Sequence, residues 1–319
     1  MPRGVSLEND FRAIIDDQTL SDLDIICSDD VTIRGCRIIL AARSDFFHSL
    51  LFGQMREARQ NEVTFPKIDS KTMRIILDYI YTGEISKSRG STPTLDDLIE
   101  AYSAAEYIQL PELKVDILMD FEETMDKAPE VNFSPEMLSS AIEKLSPTAE
   151  PDQLLDMLAE GVAKMQLEDI PYEKLTNLAL FYLVRHCKEK KRPLAKNQYS
   201  LFRYVTLHTA SKVSQDALER FKHCLPPLEE TYGWSVYPEH LEDLKSVQQE
   251  MTELSRILKH IDFISISGKI LADIIEPLKV VPLEILLDAY RHKAKNEVVW
   301  EEKKALMEFT WDRNFCGPN

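Results

Sequence analysis

The chain has 319 residues, of which 44% are hydrophobic, enough for about two or three domains with well-packed cores. Its net charge of −16 argues against nucleic-acid binding, because phosphate backbones repel an acidic chain that has no basic patch. Only 9 residues are glycine, which argues against the glycine-rich loops that bind phosphate groups.

The sequence predicts neither a membrane span nor an export signal. No apolar run approaches the roughly 18 residues that a span needs, and Met1-Pro2-Arg3-Gly4 leads directly into a charged amphipathic segment. The five cysteines are odd in number and widely spaced, which favours reduced thiols inside the cell. We expect the cytoplasm, and also the nucleus if the basic run at 188–193 is an import signal rather than a solvated loop.

Short helices and strands are predicted over the first 120 or so residues. Ser6 is placed to cap a helix over 6–16 whose apolar face carries Leu7, Phe11, Ile14 and Ile15. Alternation of apolar residues predicts strands at 21–27, 31–33 and 63–65. Further helices are predicted at 38–42, 45–52, 70–82, 94–107 and from Pro111, with Ser44, Ser70 and Thr94 as N-caps and Gly53 and Gly83 at C-terminal ends.

Beyond Met125 the strand pattern disappears, and Ala128-Pro129-Glu130 resembles an interdomain joint. Prolines mark the starts and breaks of a helical array. The predicted helices cover 134–145, 151–165, 171–190, 197–209, 213–223, 238–259, 266–275 and 282–294. A last helix is predicted at 298–308, and 308–312 has the pattern of a strand, which either docks onto the helical domain or begins a further β-rich domain.

The acidic charge is concentrated in residues 94–136, which hold 12 acidic and two basic side chains. The simpler interpretation is the solvent-facing side of two or three helices. The alternative is an acidic surface that attracts a basic partner.

Metal, cofactor and catalytic sites are not expected. The dipeptides His186-Cys187 and His223-Cys224 contain metal-ligating residue types, but adjacent helical residues point about 100° apart and cannot both face one ion. Motifs for phosphate binding, zinc hydrolysis and serine nucleophiles are absent from the sequence. The sequence therefore favours a protein that is not an enzyme.

The first part of the chain resembles the BTB/POZ family. The resemblance is carried in the family's order and spacing by 21–25 (SDLDI), 39–47 (ILAARSDFF), 51–58 (LFGQMREA), 78–83 (DYIYTG) and 104–113 (AAEYIQLPEL). It implies an α+β BTB/POZ domain. Family members commonly have a histidine before the second of these segments, where this chain has Gly35-Cys36-Arg37, and the difference argues against a peptide groove of the transcription-factor type.

The helical part resembles a BACK domain, the usual companion of BTB in ubiquitin-ligase adaptors. The similar segments are 175–180 (LTNLAL), 199–205 (YSLFRYV) and 263–267 (FISIS). We therefore expect a BTB/POZ domain at 1–125, an all-α BACK-like domain at 126–297, and a C-terminal helix with the first strand of a further domain at 298–319.

Met55-Arg56-Glu57 resembles the hydrophobic-x-Glu element with which BTB adaptors bind a cullin scaffold, cullin-3 in that family. The expected cullin-binding residues are Phe52, Met55, Arg56 and Glu57, extended by Met137 and Leu138 on the helix at 134–145. An exposed methionine fills apolar pockets adaptably, and a glutamate accepts hydrogen bonds. The alternatives are an ordinary connection for the first group and core packing for the second.

The resemblance also implies a homodimer in which Leu7, Phe11, Ile14 and Ile15 lie across a two-fold axis; packing of this helix within its own chain is the alternative. The leading hypothesis is a substrate-recruiting subunit of a cullin-RING ubiquitin ligase. The second is a BTB–BACK homodimeric scaffold or assembly protein without a ligase role. The protein substrate is not identified by the sequence, which leaves open whether the helical domain or an additional domain binds it.

Overall fold

The computed structural model describes residues 4, 6–85, 93–127, 134–145, 152–236, 251 and 253–295. The chain divides into two compact units, Met1–Leu155 and Asp156–Asn319. A small sheet surrounded by helices forms the first unit and a helical array forms the second, which confirms the predicted fold class. The predicted domain boundaries at 125 and 297 stay predictions. No helix in the described ranges combines the length and the apolar character needed to cross a bilayer.

The elements of the first unit follow the predicted order. They are α1 (Leu7–Asp16), β1 (Leu23–Ile26), β2 (Thr32–Gly35), α2 (Arg37–Arg43), α3 (Asp45–Phe52), β3 (Glu62–Thr64), α4 (Ser70–Thr82), α5 (Leu95–Tyr107), α6 (Pro111–Lys127) and α7 (Pro135–Leu145). Helix α7 packs against α5 within this unit.

The three strands form a sheet of order β2-β1-β3, in which β1 pairs antiparallel with β2 and parallel with β3. Ile25 lies opposite Ile33 on one side and Val63 on the other. All three side chains are buried. The alternation that predicted the strands therefore marks the face of the sheet that packs on the core.

The ends of the helices follow local hydrogen-bonding rules. The side chain of Ser44 accepts from the N–H of Phe47, and Thr94 forms a capping box with Asp97, so both predicted caps are confirmed. Ser70 as a cap is wrong, because Asp69 accepts from the N–H of Thr72 at 2.8 Å and the helix already includes Ser70.

The second unit begins within α8 (Gln153–Val162) and is helical throughout its described part. The helices are α9 (Asn177–Glu189), α10 (Gln198–Val213), α11 (Gln215–Cys224), α12 (Leu254–Leu258), α13 (Gly268–Ile270, continued by a π-helical turn at Leu271–Ile275) and α14 (283–295). The predicted helix at 171–190 is wrong at its start, because Tyr172–Lys174 is a separate 3₁₀ turn. The predictions for 298–308 and 308–312, and most of 238–259, lie outside the described residues.

Helix α10 is the centre of the second unit, and residues from Tyr204 to Ala210 are all buried. Three of its polar side chains donate to carbonyl groups of connecting segments: Tyr199 to Pro226 at 2.8 Å, Tyr204 to Ile170 at 2.9 Å and His208 to Leu175 at 2.9 Å. Since buried polar groups need hydrogen-bond partners, these bonds also fix the course of the segments on both sides of the helix.

His208 is fully buried, and its Nε2 donates to the Leu175 carbonyl. No residue in the described ranges forms a hydrogen bond with its Nδ1. The pKa of His208 is lowered from 6.5 to about 4, chiefly by burial; the bond to Leu175 opposes the shift, and the Lys212 cation contributes to it. The imidazole is therefore neutral at physiological pH.

We predict that acid selectively destabilises the helical unit through His208. Because the folded-state pKa is depressed, the unfolded chain takes up a proton first, so stability is lost as the pH falls below 6.5 towards 4. Protonation of this one group in the unfolded chain lowers the free energy of unfolding by about 2 kcal/mol between pH 6.5 and pH 5. Urea unfolding at several pH values measures this free energy. His208→Gln keeps a nitrogen donor and is expected to make the free energy of unfolding less dependent on pH.

The matched control is His223→Gln, because His223 is exposed on α11. It should keep the pH dependence of the parent chain. An equal pH dependence in His208→Gln and the parent would contradict the assignment.

Candidate functional site

The end of α3 and the segment that follows it display two large apolar side chains. Within α3, Phe47 and Leu51 are buried, whereas Phe52 at its end is 54% exposed. Met55, three residues later, is 55% exposed. A single exposed apolar side chain is ordinary on a protein surface. Two exposed apolar side chains three residues apart, one at the end of α3 and one just beyond it, form the core of a candidate binding surface.

Gly53 allows the chain to leave α3 in this direction. Its N–H donates to the Ser49 carbonyl at 3.1 Å, and its backbone is extended rather than left-handed. A Cβ at this position would lie 2.2 Å from the Ser49 oxygen. Gly53 is thus required by close backbone approach, and not by the positive φ that Gly83 has at the end of α4.

Residues 55–60 form a short turn that brings Met55 and Glu57 to the surface. Arg56–Arg59 is a 3₁₀ turn without a buried residue, in which Ala58 N–H donates to Met55 and Gln60 N–H donates to Glu57. Arg56 and Glu57 are 3.8 Å apart and solvent-accessible, so this ion pair contributes little to stability. Phe52, Met55, Arg56 and Glu57 therefore lie together on one accessible segment, as the sequence placed them.

Tyr107 is a further exposed aromatic residue of the first unit and was not singled out from the sequence. It is 61% exposed at the end of α5, and its ring lies 5.7 Å from that of Phe46 in α3. Phe46 is in turn 6.3 Å from Phe65, which follows β3. The helical periodicity of α5 marks its buried face and gives no signal for an exposed aromatic residue at its last position.

A groove of about 470 Å³ continues from Tyr107 to α7. Its lining includes Ala104, Ser103 and Lys144, and Lys144 Nζ donates to Glu100 at 2.6 Å. The groove therefore has an apolar and aromatic side together with a polar rim, the mixture found at protein-binding surfaces.

The two predicted site residues on α7 are placed differently from each other. Met137 is partly exposed, whereas Leu138 is fully buried. Leu138 therefore packs in the core, which is the alternative that the sequence left open for this helix. A fully buried side chain is not accessible to a partner.

The predicted dimer residues lie on α1, which packs against α4 of the same chain. Phe11, Ile14 and Ile15 remain partly exposed after this packing. The side chain of Leu7 lies outside the described residues. Intramolecular packing thus accounts for part of the apolar face of α1 and leaves part of it at the surface.

The buried thiols and histidines have structural surroundings. Burial raises the pKa of Cys27 and that of Cys187 to about 11, which keeps both as thiols. His186 is buried with Nδ1 at 3.0 Å from Asp156, which also accepts from Tyr182. Among the described residues, no cluster of histidine, cysteine and acidic side chains is arranged to hold a metal ion.

Comparison with known proteins assigns the first part of the chain. Residues 11–124 match the family model described as BTB/POZ domain. Human Kelch-like protein 2 is 31% identical over 114 residues, which are 36% of this chain and 18% of that protein. Bovine Kelch-like protein 3 is 24% identical over an alignment 228 residues long, which covers 62% of this chain and 37% of that protein.

A solved structure, the BTB domain of human gigaxonin, matches 37% of this chain and 97% of its own with 23% identity. The TM-score of 0.29 is too low to add to the assignment. The chain thus spans well under half the length of the curated relatives it matches. The part at 11–124 is a BTB/POZ domain, and the similarity to Kelch-like proteins extends from it into the helical unit.

We predict that Gly53→Ala destabilises the first unit. The added methyl group would overlap the Ser49 carbonyl, so the last turn of α3 must open. Inserted atoms without room typically destabilise by about 1–3 kcal/mol. Urea unfolding measures the change against Gln54→Ala at the neighbouring exposed position. Equal stability of the two variants would contradict the close-approach requirement.

Proposed function

We propose that the protein is a non-enzymatic adaptor that works inside the cell as a homodimer. In this proposal its BTB/POZ domain binds a cullin scaffold, cullin-3 in this family, and the protein recruits a substrate to a cullin-RING ubiquitin ligase. The support for an adaptor is the BTB/POZ domain at 11–124 and the similarity to Kelch-like proteins over 228 residues.

The observation that carries the cullin proposal is the joint exposure of Phe52, at the end of α3, and Met55, just beyond it. Aromatic residues and methionine are enriched at protein interfaces, where a few well-buried anchors supply most of the binding energy. Glu57 beside them offers a hydrogen-bond acceptor for a polar group of the partner.

We propose that the contact also includes Tyr107 and the groove towards α7, the helix that carries Met137. Phe46 and Tyr107 join the α3 side to the α5 side, and α5 packs on α7. We propose that a partner seated on Met55 continues along this groove. Leu138 is not part of the proposed contact because it is buried.

The alternative is a homodimeric scaffold without a ligase role. It is favoured by the partly exposed apolar face of α1, which supports self-association without reference to a cullin. The two functions share one fold and one dimer, and they differ in whether the surface around Met55 has a partner.

Met55→Asp is expected to abolish binding to a cullin-3 N-terminal domain. A carboxylate cannot enter an apolar pocket without a large desolvation penalty, and loss of an interface anchor typically costs about 2 kcal/mol or more, roughly a 30-fold loss of affinity. Isothermal titration of the purified chain measures the dissociation constant.

The matched control is Met119→Asp on α6, because Met119 is 54% exposed and lies in the same unit. It should bind as the parent chain does. Unchanged binding by Met55→Asp would refute the site, and a parent chain that forms dimers but binds no cullin would support the scaffold.

Phe11→Asp is expected to convert the dimer to a monomer of 36.8 kDa. A charge introduced on a self-complementary apolar patch occurs on both subunits and meets its own copy across the two-fold axis. Light scattering measures the mass, with Ala13→Asp as the control, because Ala13 lies on the exposed side of α1. Dimers that persist in Phe11→Asp would place the interface elsewhere, and a monomeric parent chain would refute dimerisation.

A further inference from the structure

The segment between α3 and β3 is held by one arginine side chain. Arg37, the first residue of α2, donates from Nη1 to the Gln60 carbonyl at 2.6 Å. Its Nη2 donates to the Leu51 carbonyl at 2.7 Å and to the Ala58 carbonyl at 3.0 Å. The three acceptors lie on both sides of Met55 along the chain.

The backbone of Arg37 and its guanidinium have further contacts that hold them in place. Its backbone N–H donates to the Asp22 carboxylate at 2.8 Å, which anchors the start of α2 next to β1. The guanidinium lies 5.6 Å from the centre of the Phe52 ring, within the range of a cation–π contact. One side chain therefore contacts the end of α3, the ring of Phe52 and the far end of the turn.

The segment has few other interactions to hold its shape. Arg56–Arg59 has no buried residue, and Phe52 and Met55 are largely exposed. Local stability of a segment comes from burial and protected hydrogen bonds, so a turn with no buried residue and two backbone hydrogen bonds of its own depends strongly on the groups that bind its carbonyls. A guanidinium presents a planar set of donors to several acceptors at once, whereas a lysine ammonium is a point charge.

We propose that Arg37 is the positioning residue of the cullin-binding surface: its guanidinium holds the backbone of residues 51–60 in the conformation that displays Phe52, Met55 and Glu57. This inference rests on the proposed function for the identity of the partner. The restraint of the segment itself does not depend on it. In this proposal Arg37 orders the segment before the partner binds. A segment that is already ordered loses less conformational freedom on binding, which favours association.

The test is Arg37→Lys in the full chain, measured by hydrogen exchange and by cullin-3 N-terminal domain affinity. Lysine keeps the charge and the stem but cannot bind three carbonyls in one plane. Exchange of the amides at 54–60 should rise about tenfold or more, while exchange in α4 and α5 stays unchanged. Affinity should fall about tenfold or more.

The control is Arg34→Lys, because Arg34 is an exposed arginine on β2 whose ion pair with Asp24, at 3.1 Å, a lysine can keep. Arg37→Gln is a second variant in case the lysine variant does not fold. Unchanged exchange at 54–60 in Arg37→Lys would overturn the restraint, whatever the cullin result. Faster exchange throughout the first unit, or loss of folding in both variants, would overturn it too by making Arg37 a general structural residue.

Two further outcomes separate the positioning role from the proposed function. Local acceleration of exchange with full cullin affinity would overturn the link between the restraint and binding. Local acceleration in a chain whose parent form binds no cullin would support the restraint and refute the cullin partner.

Discussion

The first unit depends on covering a sheet that is too small to be stable alone. Its strands have four, four and three residues, and an isolated sheet of this size cannot bury enough apolar surface. Ile25 at its centre, between Ile33 and Val63, must therefore pack against helices. The fit is close, because a Cβ on Gly35 would lie 3.1 Å from a methyl group of Leu40 in α2. The position of α2, and of α3 after it, is thus fixed by the sheet.

The candidate surface follows from that packing. Since α3 directs Phe47 and Leu51 into the core, its last residue and the following turn lie outside the packed region. Such a segment is accessible to a partner but gains little stability from burial. Its backbone carbonyls still need donors, and the end of an α-helix leaves several without partners inside the helix. A cationic side chain from α2 meets this requirement and connects the exposed turn to the best-packed part of the unit.

The sequence predicted those parts of the fold that depend on neighbouring residues. Periodicity placed the strands and helices, and side-chain chemistry placed Ser44 and Thr94 as caps. It failed where contacts between distant segments decide the local structure. The segment at 171–176 follows the helical pattern, but Tyr204 and His208 of α10 bind the carbonyls of Ile170 and Leu175, which flank the separate 3₁₀ turn.

For the candidate site, the family resemblance selected Met55 and Glu57, because their spacing in the chain carries the motif, and their role stays a prediction. It could not show that Leu138 is buried, because a helix face that packs on its own domain has the same periodicity as one that binds a partner. Tyr107 and Arg37 act through contacts with residues far away in the chain, and no local pattern marks such contacts.

Exposure alone does not distinguish Met55 from Met119, since the two side chains are equally accessible. Their surroundings do. Met119 lies within α6, a helix of 17 residues that satisfies its own backbone bonds. Met55 lies on a turn whose carbonyls are bound by Arg37, beside Phe52 and Glu57. Fixing a turn in this way has a conformational-entropy cost that burial offsets only in part, because none of residues 56–59 is fully buried. An ordered, exposed turn that combines apolar and acidic side chains is what a pre-organised binding surface requires.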